Sequence, residues 1–533
     1  MSLTQTAQAR WAAIPGPWKR AFFIALAANF FVFFYGMAQY PLGDHDVGYL
    51  KGVSYLSGGA IGRWFSPFLY TLNGFLQLPV FIQTLAMSFQ ILAGIGAVLL
   101  WKRDASFVHL LAGALLVSLI PFVNSHYYYH WMAHAFSFAQ LCMISALAVA
   151  QKQTLPRLVL SSILVVIGLA TYQPCALTFA VVWCGLLAAA AARWNGTAQD
   201  ARNKAAELAF PLAALILGTC AYAASIAFFS LFHLIKLGNY QFAPVAESLT
   251  ERSLRVIHAA FAHLWLSQPY SPRLLKILLL ITTASGWAYF LWDAYNNKEQ
   301  KPVLRVALLV LALAGLVVSS KSLFLFSGYE DMYLYRFAGS SLSYVYLFFL
   351  SALFSSASIS GRNLGLVLIC LIAPAFALND LRAQEHIVHS NIHDLSTLNR
   401  VVARIENMDN FNPDAEYTIV QFGRTKPYIP TVYDDDYDVE SVYFFRNTIS
   451  QAWRPGFELE LLSSYLRFNL RLSENSTEHP DILARAAHFA QGGKAFPHKD
   501  SCFLMDGNIL VLIFNTDALQ RALDREDLKR VLP

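Results

Sequence analysis

Long apolar segments recur between Phe22 and about Asp380, and they constrain the fold more than any other feature of the chain. About 20 consecutive apolar residues are enough to cross the hydrocarbon core of a bilayer as a helix. Hydrophobic residues make up 56% of the 533 residues, charged residues make up 14%, and the mean hydropathy is +0.43. These values lie outside the range of soluble globular proteins. The sequence therefore predicts an α-helical polytopic membrane protein with about 11 transmembrane helices. The predicted spans begin near Phe22, Val80, Phe107, His134, Leu158, Ala176, Leu208, Leu274, Val303, Phe337 and Leu364.

One apolar stretch, from Arg157 to Trp194, is about twice the length of a single span. Its one turn signal is the sequence Tyr172-Gln173-Pro174. We divide the stretch into two spans at this point. A wrong division would invert the orientation of every later segment.

The distribution of cations gives an independent test of orientation, because lysine and arginine are enriched in short cytoplasmic loops. With a cytoplasmic amino terminus, the outer loops carry fewer cations over more residues than the inner segments do. We therefore expect a bacterial inner-membrane protein with its longer polar loops on the periplasmic side. The inner cations are Arg10, Lys19, Arg20, Lys102, Arg103, Lys152, Arg157, Arg193, Arg202, Lys204, Lys298, Lys301, Arg305 and Arg362.

The composition becomes polar after Asp380, where the pattern changes to that of a soluble domain. Strand patterns occur in "EYTIVQFG" and "CFLMDGNILVLIFN", and helical patterns occur in "LSTLNRVVARIEN" and "DILARAAHFA". The sequence therefore predicts two domains: a membrane core over residues 1–380 and a small periplasmic α/β domain over residues 381–533.

The first outer loop, at about residues 39–78, carries charged groups between two apolar segments. Its sequence "GDHDVGYL" contains Asp44 and Asp46, and "GRWF" contains Arg63 and Trp64. Carboxylates at a membrane boundary indicate a functional site by default, although a solvated loop that caps the next helix is the alternative. Arg63 offers a planar fork of donors, and the ring of Trp64 offers a surface on which a sugar stacks.

A second charged cluster, "SGYEDMYLYRF", contains Glu330, Asp331 and Arg336, and Lys321 precedes it. The alternative for this cluster is an interfacial belt of tyrosines.

The sequence "HYYYHWMAH" places three histidines at intervals of four residues, a spacing that suggests a metal-binding helix face. No carboxylate lies nearby in sequence, so an interfacial belt is the preferred interpretation. A second use of these rings is a platform for a glycan, formed by Tyr127, Tyr128 and His130.

Three features together, namely "GDHDVGYL" followed by "GRWF", the internal "TYQP" turn and a soluble outer tail, resemble the Gtr type II family of O-antigen glucosyltransferases. The resemblance implies a GT-C membrane core with catalytic carboxylates in the first outer loop. It also implies a polyprenyl-phosphate sugar as the donor, usually glucose on undecaprenyl phosphate. The acceptor would be a surface polysaccharide or a lipid-linked glycan. This chain has Asp-His-Asp where the family commonly has adjacent acidic residues, so the choice between Asp44 and Asp46 as the principal carboxylate stays open.

Glycosyl transfer outside the inner membrane has no nucleotide sugar available, so the lipid must supply a phosphate leaving group. Asp44 or Asp46 would then act as the base for the acceptor hydroxyl. The phosphate charge would be matched by a cation from Arg63, Arg336 or Lys321. The sugars would contact Trp64, Glu330, Asp331, Tyr127, Tyr128 and His130. This chemistry requires no metal or other cofactor.

The expected partners are the lipid-linked donor, the acceptor glycan, a flippase and a donor-synthesising transferase. The net charge of +5 is too small to indicate a nucleic-acid partner. A glycan polymerase or ligase is an alternative within the same enzyme class. A lipid or solute transporter is an alternative from another class, for which polar residues would line a path through the core.

Overall fold

The computed structural model describes most of the chain in several stretches. These are residues 11–40, 62–76, 78–127, 129–234, 248–265, 273–296, 302–325, 335–412, 417–423 and 480–525, together with Thr6, Ala9, Asp414 and Ala415. The chain divides into two compact units, residues 1–37 with 54–382 and residues 38–53 with 383–533.

Helices dominate the first unit, and all of the longer ones except Leu249–Trp265 overlap the predicted spans. We number the helices of eight or more residues in chain order. They are α1 (Gly16–Gln39), α2 (Pro79–Trp101), α3 (Phe107–Leu119), α4 (Ala133–Ala150), α5 (Leu155–Thr171), α6 (Ala176–Ala192), α7 (Ala198–Leu231), α8 (Leu249–Trp265), α9 (Arg273–Asn296), α10 (Pro302–Ser319), α11 (Tyr335–Phe354) and α12 (Ile359–Glu406).

Among the described residues, seven helices are long and apolar enough to cross a membrane, namely α1, α2, α4, α6 with its preceding turn, α7, α9 and α12. The apolar parts of α3, α5, α10 and α11 are shorter. The mostly helical, polytopic class is thereby confirmed. That all eleven of these helices cross the bilayer stays a prediction. The remaining helix, α8, is amphipathic: it buries Val256, Ala259 and Leu264, and it exposes the polar residues Glu251, Arg255 and His258.

The predicted division of the long apolar stretch coincides with a break in the structure. Helix α5 ends at Thr171, Tyr172 is extended, and a 3₁₀ turn over Gln173–Cys175 leads into α6. Proline has no N–H and fits the first turn of a helix, so Pro174 favours a new start here.

Helix α12 differs from the expectation, because it continues through Asp380 without a break for 48 residues. The sequence after its internal Pro374 contains no glycine or proline as far as Glu406, so nothing in it stops the helix.

Small residues allow close approach where the membrane helices cross. A side-chain carbon added at Gly94 of α2 would lie 2.8 Å from the carbonyl carbon of Gly113 in α3, so the two backbones are in contact. Gly185 of α6 similarly accommodates the ring of Trp101. Such contacts stabilise helix packing in lipid, where the hydrophobic effect between helices is weak.

Buried amides add hydrogen bonds between the same helices. The Asn29 side chain donates to Ser118 Oγ at 2.7 Å, which joins α1 to α3. The Gln90 side chain donates to Gln140 Oε1 at 3.1 Å, which joins α2 to α4. Hydrogen bonds between buried polar side chains stabilise helix packing in an apolar interior.

The second unit contains a three-stranded sheet among its described residues, in the order β1-β3-β2. Strand β1 (Thr418–Phe422) is parallel to β3 (Ile509–Ile513), and β2 (Cys502–Met505) is antiparallel to β3. These strands confirm the ones predicted from the sequence. Asp506 and Gly507 both have positive φ, 54° and 78°, which is the conformation that a tight Asp-Gly hairpin turn requires.

Apolar residues cover both faces of this sheet. Leu510 and Leu512 pack with Leu398 and Val401 from the end of α12. Residues of the opposite face pack against two further helices, α13 (Pro480–Phe489) and α14 (Thr516–Asp524). A small sheet between helices is the mixed α/β arrangement that was predicted.

The contact between α2 and α3 generates a stability prediction. We expect Gly94→Ala to lower the free energy of unfolding by about 1–3 kcal/mol, because the added methyl group overpacks two backbones that cannot separate easily. Gly315→Ala is the matched control, since a side-chain carbon there would meet nothing within 4 Å. The apparent unfolding temperature in detergent, followed by size exclusion, should fall only in Gly94→Ala. Equal temperatures in both variants would contradict the packing.

Candidate functional site

The segment Gly62–Ser66 closes the open end of α5. The last carbonyl groups of a helix have no partners within the helix. The Phe65 N–H donates to Ala170 O at 3.0 Å, and the Ser66 hydroxyl donates to Thr171 O at 2.9 Å. Two motifs far apart in sequence, "GRWF" and "TYQP", therefore meet at one place.

Arg63 is half-buried at this junction and is held by two contacts. Its Nε donates to Gln173 Oε1 at 3.3 Å, and its guanidinium carbon lies 4.8 Å from the centroid of the Tyr172 ring. Nη1 and Nη2 make no hydrogen bond and no ion pair with any residue that the structure describes. Arg63 thus presents a pair of donors that no described residue occupies.

The backbone beside Arg63 is tied to α7. Gly62 has a φ of +77°, which favours glycine. The Gln173 side chain donates to Tyr222 Oη at 2.8 Å, and Tyr222 Oη donates to Gly62 O at 3.3 Å.

Trp64 is half-buried against the same helix. Its indole N–H donates to Ser225 Oγ at 3.0 Å, and its ring meets Phe229 edge-on at a centroid distance of 5.4 Å. The polar atom of the indole is satisfied within the protein, so any stacking surface would be the exposed part of the ring.

Tyr172 is the centre around which three sequence motifs pack. Besides Arg63, its ring contacts Phe136 at 4.5 Å and His126 at 5.8 Å between centroids. The histidine-rich turn therefore lies beside the Arg63 segment. We had not predicted this contact from the sequence.

The histidines of that turn are buried, with exposed fractions of 1% for His126, 0% for His130 and 0% for His134. The interpretation of these histidines as an interfacial belt is therefore wrong, because belt residues face lipid or water. His134 Nε2 lies 3.1 Å from Leu69 O, so at least one ring is used within the core. No group of three or more metal-binding side chains occurs among the described residues.

Tyr127 is also buried, and its hydroxyl donates to Ser118 O at 3.3 Å. Burial and the negative charge of Asp380 raise the pKa of the Tyr127 phenol well above its usual range. The phenol therefore stays protonated. Neither Tyr127 nor His130 reaches the surface in this structure, and their contact with a substrate stays a prediction.

Lys321 is fully buried in the turn that follows α10. Its Nζ is 5.6 Å from the centroid of the Phe324 ring, and Phe324 packs with Leu177, one turn beyond Gln173. The carbonyl of Phe324 accepts a hydrogen bond of 2.7 Å from Arg252 Nε of α8. Two buried cations therefore flank one phenylalanine, and Arg252 was not predicted.

Several predicted site residues cannot be placed in this geometry. Asp44, Asp46, Glu330, Asp331 and Tyr128 lie outside the described residues. Arg336 belongs to the first turn of α11, and only its backbone is described. The roles assigned to these six residues stay predictions.

An open cavity of about 600 Å³ lies along α7 next to the Arg63 segment. Ile226, one of its lining residues, would also be met by a side-chain carbon added at Gly62. The cavity is lined by Ala223, Ile226, Ala227, Ser230, Leu231 and His233. A separate groove of about 690 Å³ is lined by residues of α1 and by Thr84 of α2, and no predicted site residue contributes to it.

The residues missed by sequence reasoning share one signal. Gln173 and Tyr222 are polar side chains, in the turn that leads into α6 and within α7, and polar side chains are disfavoured in apolar segments unless they have a partner or a function. From the sequence alone, Gln173 indicates only a turn, and Tyr222 belongs to a predicted span.

Comparison with known proteins gives one match. The model of a family described as Glucosyl transferase GtrII matches residues 49–359, which is more than half of the chain. The matched range includes Arg63, Gln173, Tyr222 and Lys321, whereas Asp44 and Asp46 precede it. No curated protein and no solved structure matches the chain.

The packing around Gly62 generates a prediction for the segment that carries Arg63. A side-chain carbon at Gly62 would lie 2.8 Å from Tyr222 Oη and 2.9 Å from Ile226 Cδ1. Gly62→Ala should therefore displace the segment and break the hydrogen bond of the Phe65 amide. We expect that amide to exchange at least about fivefold faster in hydrogen-exchange mass spectrometry, since overpacking costs about 1–3 kcal/mol.

Gly74→Ala is the control for this experiment. Gly74 also has a positive φ, 60°, but a side-chain carbon there meets nothing within 4 Å. Backbone strain is common to both variants, so equal exchange at Phe65 would contradict the contact with α7.

Proposed function

The chain belongs to the GtrII glucosyl transferase family and is a membrane glycosyltransferase, and we propose that it moves glucose from undecaprenyl-phosphate glucose to a surface polysaccharide of the O-antigen kind. In this proposal the reaction takes place on the periplasmic face of the bacterial inner membrane. The amino terminus is cytoplasmic, and the carboxyl-terminal α/β unit is periplasmic. The family match favours an enzyme over the transporter alternative.

The main support for the proposal is the way in which the Arg63 side chain is held. Its guanidinium is fixed by Gln173 and Tyr172, while Nη1 and Nη2 are unengaged among the described residues. Two parallel N–H donors match two oxygens of a phosphate, which makes arginine well suited to bind this group. The donor of the proposed reaction carries such a phosphate between its sugar and its lipid.

The surroundings of Arg63 suit the rest of the donor. The cavity of about 600 Å³ along α7 is lined mainly by apolar and small residues. Such a surface accommodates an isoprenoid chain, because transfer of apolar groups out of water is favourable. The half-buried ring of Trp64 adjoins Arg63 in sequence and offers a face to the sugar.

The proposed mechanism is a single displacement. Asp44 or Asp46 takes the proton of the acceptor hydroxyl, and the oxygen attacks the anomeric carbon of glucose. The bond from that carbon to the phosphate oxygen breaks, and the phosphate leaves with the electron pair. Arg63 stabilises the resulting charge, with Lys321 and Arg336 as further candidates. Attack on the face opposite the leaving group would invert the anomeric centre.

The other predicted residues have supporting roles in this proposal. Glu330 and Asp331 would accept hydrogen bonds from sugar hydroxyls, and Tyr128 would stack on the glycan. The scheme uses no metal. A flippase and a donor-synthesising transferase would deliver the donor to the outer face, because the proposed site takes a lipid-linked sugar and no nucleotide sugar.

The role of Arg63 is tested by donor binding. We expect Arg63→Ala to weaken the affinity of the purified protein for undecaprenyl-phosphate glucose by about 10-fold to 100-fold, since hydrogen bonds to charged groups contribute about 1.5–3 kcal/mol. Arg63→Lys should fail nearly as badly, because lysine has neither the fork nor an Nε donor for Gln173. Arg193→Ala, which removes an exposed arginine at the other end of α6, is the control. Wild-type affinity in Arg63→Ala would remove this residue from the site.

The role of the carboxylates is tested by turnover. Removal of a general base lowers the rate by about 10²-fold to 10⁴-fold, so we expect either Asp44→Asn or Asp46→Asn to be nearly inactive. The other variant should be slowed only moderately, because one base suffices. The assay measures transfer of glucose from the lipid donor to extracted acceptor glycan, beside a size-exclusion profile that reports folding. Wild-type turnover in both variants and in the double variant would refute the mechanism.

A further inference from the structure

Three side-chain hydrogen bonds join Gly62 and Arg63 in a closed ring. Arg63 Nε donates to Gln173 Oε1, Gln173 Nε2 donates to Tyr222 Oη, and Tyr222 Oη donates to Gly62 O. The peptide between Gly62 and Arg63 closes the ring. Two members of the ring, Gly62 and Arg63, are neighbours in one segment. The other two, Gln173 and Tyr222, belong to the "TYQP" turn and to α7.

The direction of every bond in this ring follows from chemistry. Arginine can only donate, so the Gln173 amide must turn its oxygen toward Arg63. Its NH₂ group then faces Tyr222, which must accept with its oxygen and donate its own proton to the carbonyl of Gly62. All groups in the ring are satisfied in one arrangement only. The ring therefore specifies a single orientation for the Gln173 amide.

The main effect of the hydrogen-bonded ring is to set the orientation of the Arg63 guanidinium, because the segment Gly62–Ser66 has other anchors. The segment is already anchored to α5 by the bonds from the Phe65 amide and the Ser66 hydroxyl. The bond at Nε and the contact with the Tyr172 face together determine the plane of the guanidinium. Nη1 and Nη2 consequently point in one direction before any ligand arrives. An arginine side chain otherwise loses about 2 kcal/mol of rotamer entropy when it is immobilised.

We propose that Gln173 and Tyr222 are positioning residues that orient the Arg63 fork toward the phosphate of the lipid-linked donor. This inference rests on the proposed function of Arg63. Gln173 and Tyr222 themselves do not contact the donor in this scheme. They raise affinity because the cost of ordering Arg63 is met when the protein folds.

The test measures the affinity of purified protein in nanodiscs for undecaprenyl-phosphate glucose. We expect a loss of about 5-fold to 30-fold in Gln173→Ala, which removes the direct bond to Arg63 Nε, and about 2-fold to 10-fold in Tyr222→Phe, which leaves that bond in place. Gln199→Ala and Tyr295→Phe, which change exposed residues elsewhere, are the matched controls. The apparent unfolding temperature should stay close to the wild-type value in Tyr222→Phe, because phenylalanine keeps the aromatic group of tyrosine and its packing.

A double variant separates positioning from a structural role. If Gln173 acts through Arg63, then Gln173→Ala should change affinity by less than about twofold in an Arg63→Ala background, since coupled residues are not additive.

The variant Gln173→Glu is a second test that distinguishes positioning from a structural role. A carboxylate would pair with Arg63 and hold the segment at least as firmly, so a structural role predicts retained affinity. If Gln173 instead positions Arg63 for the phosphate, the new carboxylate would compete with the phosphate for the guanidinium. Affinity should then fall, whereas the unfolding temperature should not change.

The outcomes distinguish the two proposals. Wild-type affinity in Arg63→Ala would overturn the proposed role of Arg63 and this inference with it. A loss in Arg63→Ala together with wild-type affinity in both Gln173→Ala and Tyr222→Phe would overturn this inference alone. Fully additive losses in the double variant, or retained affinity in Gln173→Glu, would likewise overturn it and leave the role of Arg63 standing.

Discussion

The site depends on the unpaired carbonyl groups at the end of α5. A helix that stops inside a membrane protein leaves polar groups without partners, and these must be satisfied by other parts of the chain. Here the Phe65 amide and the Ser66 hydroxyl supply the hydrogen bonds. That requirement brings the end of the first outer loop to the "TYQP" turn, and it places Arg63 against Tyr172 and Gln173. The chemistry proposed for the protein is thus built on a helix terminus.

The sequence predicted the helices well because their cause is local. Length and hydropathy set the positions of the spans, and Pro174 marked the break between α5 and α6. Short apolar runs bounded by turn residues likewise predicted β1 and β3. The change in composition at Asp380 predicts a new domain, but it does not predict that α12 continues to Glu406. Composition reports the environment of a helix, and it does not report where the helix stops.

The site was only partly predictable, because its contacts join residues that are distant in sequence. Arg63 and Trp64 were identified from their residue types, but the bond from Arg63 to Gln173 spans more than one hundred residues. The burial of Lys321 and of the three histidines depends on neighbouring helices, which no local pattern describes. The sequence does not single out Gln173 and Tyr222, because a glutamine in a turn and a tyrosine within a span are both ordinary when their partners are unknown. A polar residue in a membrane core is expected to have a hydrogen-bond partner elsewhere in the chain, even when the sequence does not identify that partner.

The hydrogen bond between Phe65 and Ala170 also restricts how the chain threads the bilayer. The bond places the two residues at one depth, so in the proposed topology the number of crossings between them is even. The chain between them passes through α2, α3, α4 and α5, of which α2 and α4 have the length and hydropathy of spans. Parity then requires α3 and α5 to cross together or not at all. With 13 residues, α3 extends only about 20 Å at 1.5 Å per residue, less than the hydrocarbon thickness of about 30 Å. A bilayer that is locally thinned around α3 would let both helices cross, and the phosphate of a lipid in the thinned leaflet would then lie deeper than the surrounding headgroups.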